Sequence, residues 1–195
     1  MKEQQKKYEL TDEFIEIFGG KKLYRIKALV SFGVVVAGQL GGFIESEKNL
    51  DQSLSSNAWV YGDALVYGDA EVYGNARVYG DARVYGDARV SGDAEVSGDA
   101  EVYGDALVYG NARVRSHAVI SEHKMIFWAS NVGSENGTLT VFNGKDGLIV
   151  TRGCFAGTVD EFLAKSAKVH DDKTKNEYKL LIEVAKSRIL GVKDE

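Results

Sequence analysis

From Val60 to Ile120 every sixth residue is aliphatic, and an alanine stands two positions before it. The run reads AWVYGD ALVYGD AEVYGN ARVYGD ARVYGD ARVSGD AEVSGD AEVYGD ALVYGN ARVRSH AVI. A six-residue period fits neither a helical turn nor a β-hairpin. It fits a chain wound into a solenoid in which each hexad forms one flat side. Val and Ala alternate with outward residues and point inward, and the small alanine leaves room in a narrow tube. Gly followed by Asp or Asn occupies the corner, where a positive φ is cheap only for such residues. The outward positions flank the valine.

Three hexads per coil stack residue i on i+18. Arg77 then faces Glu95, Glu95 faces Arg113, Arg83 faces Glu101 and Glu71 faces Arg89, so every charged pair is of opposite sign. A two-hexad coil would set Arg77 against Arg89. Opposite charges on neighbouring strands are favourable by roughly 0.2–1 kcal/mol per pair, so a three-sided coil is predicted.

The flanks lose the period. FIEIF and LYRIKAL surround Gly19-Gly20, which predicts a hairpin within residues 13–28 that blunts the open edge of the first coil. Residues 34–57 form an irregular first coil, because the six-residue phase slips between Leu50 and Leu54. Beyond the hexads, strands are predicted at Met125–Ala129, Leu139–Phe142 and Leu148–Arg152, with a turn over Asn143–Gly147. Thr158 and Glu161 form a capping box that starts a helix over Val159–Val169. A second helix runs from Lys175 to Leu190, with Tyr178, Leu181, Ile182, Val184 and Ala185 as its apolar stripe. The expected organisation is an N-terminal hairpin cap over 1–33, a β-solenoid over 34–120 and a C-terminal α+β cap over 121–195.

The V-x-G-[DN]-A-x hexads resemble the left-handed parallel β-helix of hexapeptide-repeat proteins, and the handedness is what that resemblance implies. The stretch LYRIKALVSFG…AGQLGGFIESEKNL followed by such hexads is similar to phage and prophage proteins and to the bacterial YdcK-like hexapeptide proteins, over roughly residues 8–120. SNVGSENGTLTVFNGKDGLIVTRGCFAGTVDEF resembles the tail module of phage-encoded members. The fold class that follows is mainly β, a left-handed parallel β-helix with caps. The resemblance assigns no reaction and implies no cofactor.

Charge narrows the partners. The net charge of −5 lies within the repeat, and the remainder of the chain is balanced. With no basic stripe to follow phosphates, binding to DNA or RNA is not expected. One cysteine, no signal-peptide pattern and no long apolar run lead to the expectation of a cytoplasmic protein, in the host cytoplasm if phage-encoded.

Several groups carry candidate chemistry. Tyr67, Tyr85 and Tyr103 stack along one side, next to Arg83, and read either as a ligand or oligomer face or as an aromatic ladder that stabilises the coil. The corner acids Asp63, Asp81 and Asp99, continued by His117, and Asp69, Asp87 and Asp105, have the oxygen chemistry for Ca²⁺, but Asp and Asn also simply close tight corners, which is the preferred reading. His117 and His123 fall on different sides, so a zinc site is not expected. Arg152, Cys154, Thr158 and His170 make a possible C-terminal site, with His170 a conceivable base for Cys154; a small buried cysteine at a strand-to-helix turn is the preferred account. The glycines before Thr158 leave the helix N-terminus open to an anion. Regular outward threonines, as ice binding would need, do not occur in the hexads.

Three functions are compatible with this reading. The first is a non-enzymatic, phage-encoded binding protein that sequesters a small ligand such as a nucleotide signal, or inhibits a host defence factor, and a homotrimer is the expected assembly. The second is an acyl- or nucleotidyltransferase, an activity common among hexapeptide β-helices; those enzymes use a loop that breaks the repeat and a histidine facing a neighbouring subunit, whereas here the hexads run unbroken to Ala118. The third is a virion or scaffold component.

Overall fold

A computed structural model describes residues 5–191. The hexads form a three-sided β-solenoid of about four turns. Its strands are two residues long, one per hexad: β4 (Trp59–Val60), β5 (Leu65–Val66), β6 (Glu71–Val72), β7 (Arg77–Val78), β8 (Arg83–Val84), β9 (Arg89–Val90), β10 (Glu95–Val96), β11 (Glu101–Val102), β12 (Leu107–Val108), β13 (Arg113–Val114) and β14 (Val119–Ile120), preceded by β3 (Leu40–Ile44). Parallel pairing of β5-β8-β11-β14, β4-β7-β10-β13 and β6-β9-β12 builds the three sides. The register is i+18 throughout: Glu95 pairs with Arg77 and Arg113, Glu101 with Arg83, and Arg89 with Glu71.

The interior is a column of valines and alanines, each at most 1% exposed from Ala58 to Val114. Every hexad glycine from Gly62 to Gly110 has positive φ, between 57° and 74°. Stacking adds a second reason for glycine: a Cβ on Gly86 would stand 2.9 Å from the backbone nitrogen of Gly104 in the next coil. Ser116 takes the same corner with φ 59° in the last coil.

The N-terminal cap is a hairpin of β1 (Tyr8–Ile17) and β2 (Lys21–Ala28). The first strand begins at Tyr8, earlier than the apolar FIEIF run suggests, because Tyr8 pairs with Ala28 and donates its hydroxyl to the carbonyl of Leu50 at 2.6 Å. The hairpin extends one solenoid side, as β2 pairs antiparallel with β3, and β3 pairs parallel with β5. Arg25 locks this joint. Its guanidinium lies over the Phe43 ring at 4.2 Å and bonds the carbonyl of Gly41 at 2.9 Å. The phase slip is real: Leu50 bridges to Val72, and the chain then loops out before resuming the period at β4. Buried Asn49 stands in for coil backbone there, donating to the carbonyls of Gly68 and Ala70 at 3.0 and 2.9 Å.

The C-terminal cap is an antiparallel sheet of β15 (Ile126–Val132), β16 (Gly137–Gly144), β17 (Gly147–Arg152) and β18 (Phe155–Thr158), followed by helices α1 (Val159–Val169) and α2 (Asp172–Leu190). The central strands of the sheet are buried on both faces. Phe142 and Ile126 join the solenoid core, while Leu139, Val141 and Val150 pack with Phe162, Tyr178 and Ile182 of the helices. Strand β18 was not foreseen, since FAGT carries no strand pattern. The second helix starts at Asp172, earlier than expected, because Asp171 caps it by accepting the Thr174 N–H at 2.8 Å. Its buried stripe is Tyr178, Ile182, Ala185 and Ile189, and Val184 faces outward.

Candidate functional site

The tyrosine ladder has the predicted register. Tyr67, Tyr85 and Tyr103 stack with centroids 5.0 Å apart and planes within 3° and 5° of parallel. The spacing matches the ~4.8 Å separation of adjacent strands. Ring faces therefore meet other ring faces, and the outer surface is a ridge of ring edges and hydroxyls. Burial holds the Tyr85 hydroxyl protonated, pushing its pKa up to about 12. Beside the ridge, Arg83 and Glu101 approach to 3.8 Å. The other two sides are less regular. Tyr79 donates its hydroxyl to Glu95 at 3.3 Å, and Tyr109 packs edge-on against Trp128 at 4.4 Å.

The corner acids are closed at their ends by Lys48 and Arg25, which the hexad spacing does not place there, and by His117, which it does. Lys48 bonds Asp69 at 2.7 Å, Arg25 lies 3.6 Å from Asp63, and His117 lies 3.4 Å from Asp99. The Lys48 ammonium holds the Asp69 carboxyl below its ordinary pKa. The third corner is a hydrogen-bonded ladder in which Asn57 donates to Asn75 at 3.0 Å and Asn75 to Asp93 at 2.9 Å. Among the described residues, no group of three His, Cys, Asp or Glu side chains is placed to hold a metal ion. His123 lies in a separate short turn, His123–Met125, beyond the last coil.

The four C-terminal candidates do not form one site. Thr158 is the N-cap of α1: its hydroxyl accepts the Glu161 N–H at 3.2 Å, and the Glu161 carboxylate accepts the Thr158 N–H at 2.8 Å. The bond from the Thr158 N–H lowers the Glu161 pKa, and the pair of bonds closes the helix N-terminus to an anion. Arg152, Cys154 and His170 instead line a different cavity, of about 290 Å³, with Phe155, Ser166 and Tyr178 also in its wall. Cys154 is exposed, contrary to the buried cysteine expected. The reason is β18: Arg152 pairs with Phe155, which makes Gly153-Cys154 the two-residue tip of a hairpin, not a packed strand-to-helix turn.

The geometry of that cavity follows from its neighbours. Arg152 lies flat on Gly137, where an added Cβ would meet the guanidinium carbon at 2.6 Å, and it donates to the Val132 carbonyl at 3.2 Å. His170 ends α1, its backbone N–H bonded to the Ser166 carbonyl at 3.1 Å and its ring edge-on to Tyr178 at 5.4 Å. Three polar atoms in these walls, Arg152 Nε, Ser166 Oγ and His170 Nδ1, are buried without a hydrogen-bond partner. An unmade bond at a buried polar atom costs on the order of 1–3 kcal/mol. Ser166 was missed in the sequence, and Tyr178 was read only as part of the second helix's apolar stripe. A signal for Ser166 was present, since Phe162, Ser166 and His170 recur every four residues and set polar groups on the helix face that packs inward.

The YdcK Beta solenoid repeat model matches residues 70–86 and 82–98. These coils are similar to the YdcK β-solenoid repeat. A comparison with curated proteins returns no match to this chain. Among the described residues, no helix is long and apolar enough to cross a membrane.

Proposed function

We propose that this is a non-enzymatic binding protein of phage or prophage origin. It works in the cytoplasm of a bacterial host, as a homotrimer, by occupying a host factor such as one of antiviral defence. The supporting observation is the Tyr67–Tyr85–Tyr103 ridge with Arg83 beside it. Its rings are pre-ordered by mutual stacking, so little rotamer entropy is lost on contact, and tyrosine is enriched in protein interfaces. Because the ring faces are taken up within the ladder, the ridge suits a protein surface better than a stacked nucleotide. The side that carries the ridge also offers a surface for side-to-side association of copies.

Light scattering tests the assembly, and affinity capture from host lysate tests the partner. The native chain should run as a trimer and retain a host protein. Replacing Tyr67, Tyr85 and Tyr103 with lysine should lower the mass to that of one chain and release the partner. A native monomer, or capture unchanged by the replacements, overturns the reading.

A further inference from the structure

The cap cavity is separate from the tyrosine ridge, and its chemistry is specific. Arg152 Nε–H is an obligatory donor, the Ser166 hydroxyl is free to donate, and Lys165 lines the same cavity. Ser166 is only 3% exposed yet has no hydrogen bond from its hydroxyl. Aromatic side chains share the cavity: Phe155 packs on Phe162 at 5.4 Å, and the Lys165 ammonium sits 5.3 Å above the Phe155 ring. Donors and rings lining one cavity fit a molecule with a small anionic head and an apolar body. A volume of about 290 Å³ suits a small ligand. Glu135 lines the same cavity and repels a multiply charged head more strongly than a singly charged one.

The geometry points to a binding site for a small organic carboxylate with a ring-sized apolar body, held between Arg152, Lys165 and Ser166. The carboxylate gives the unpartnered donors an acceptor, and the body displaces water from Phe155 and Phe162. The head could belong to a free acid or to the C-terminus of a peptide, and both present the same chemistry.

Cys154 provides the test. It is the only cysteine, it is exposed and it lines the cavity, so its alkylation by iodoacetamide reports occupancy. With the full chain, phenylacetate should slow alkylation at least about fivefold at ~10 mM, an affinity in the millimolar range. Phenylacetamide, which has the body without the charge, and acetate, which has the charge without the body, should leave the rate unchanged. Gly-Gly-Phe slowing the reaction while its C-terminal amide does not would assign a peptide end, and protection by phenylacetate alone would assign a free acid. Lys165→Gln and Ser166→Ala should each weaken protection, read as the ratio of the alkylation rates without and with phenylacetate for the same variant, and Arg152→Lys should weaken it while keeping the charge. The site is overturned if phenylacetate gives no protection, if phenylacetamide or acetate protects equally, or if the Lys165 and Ser166 replacements, folded by circular dichroism, are protected as well as the native chain.

Discussion

Thr151 donates its hydroxyl to the main-chain carbonyl of Arg113 at 2.6 Å. Thr140, beside it in the sheet, accepts the Arg113 N–H at 3.1 Å. In every lower coil these two backbone groups bond to the coil above, as the Glu95 N–H bonds the Ala112 carbonyl at 3.0 Å. At the last coil two threonine side chains replace the missing strand. Both are buried, so water cannot substitute for them.

Thr151→Val keeps the shape and removes the donor, which leaves the Arg113 carbonyl unpaired. The expected loss is on the order of 1–3 kcal/mol in urea denaturation. Thr140→Val should cost a similar amount. Because both act on the backbone of one residue, the double variant should lose less than the sum of the singles. Strict additivity would show that the two threonines do not share this task.

Corner positions should respond in opposite ways to the loss or gain of a Cβ. Gly86 has φ 71°, and a Cβ there meets the Gly104 backbone. Gly86→Ala should destabilise by about 1–3 kcal/mol, from strain and crowding together. Ser116 already carries a Cβ at φ 59°, so Ser116→Gly should relieve strain and raise stability by up to about 1 kcal/mol. Thermal melting of the two variants checks the signs.

Lys7 is buried at the base of the solenoid, where its ammonium donates to the carbonyls of Ser56 and Ala58 at 3.3 and 3.2 Å and lies 4.9 Å from the Phe32 ring centroid. Burial lowers its pKa from 10.5 to about 8, with the Asp51 carboxylate pulling the other way. Between those values the unfolded chain binds the proton and the folded chain releases it. Stability therefore rises as pH increases from about 8 towards 10.5, and below pH 8 the charged, buried form carries its full penalty. Lys7→Met should flatten that rise. Denaturation midpoints across the window measure it, and an unchanged slope in the variant would assign the rise to other groups.

The solenoid was legible because its valines, alanines and glycines each obey one constraint repeated every six residues. The same repetition made the i+18 register readable from Arg77, Glu95 and Arg113. The cap was harder to read, since β16 alternates Leu139 and Val141 towards the helices with Thr140 and Phe142 towards the solenoid. A strand buried on both faces shows no alternation to indicate which side meets which core. The cavity depends on Arg152, Ser166 and Tyr178, which are joined only by tertiary packing, and no local period brings them together. Cys154 was misread for a related reason: without β18, the hairpin tip that exposes it is invisible.

The charge ladder gives the most direct test of the coil register. Arg83 and Glu101 are partnered strand to strand, with 3.8 Å between their charged groups. Both are substantially exposed, so the pair contributes little, roughly 0.2–1 kcal/mol. Arg83→Glu sets two carboxylates side by side and should destabilise by a similar amount at low salt, falling towards zero near 1 M salt, where the screening length is about 3 Å. Exchanging the pair, Arg83→Glu with Glu101→Arg, should restore the native midpoint, because only the order of the charges changes. The same exchange made between Arg83 and Glu95, which lie on different sides, should not restore it. Recovery in both exchanges would mean that net charge, and not the stacking of one coil upon the next, sets the stability of this side.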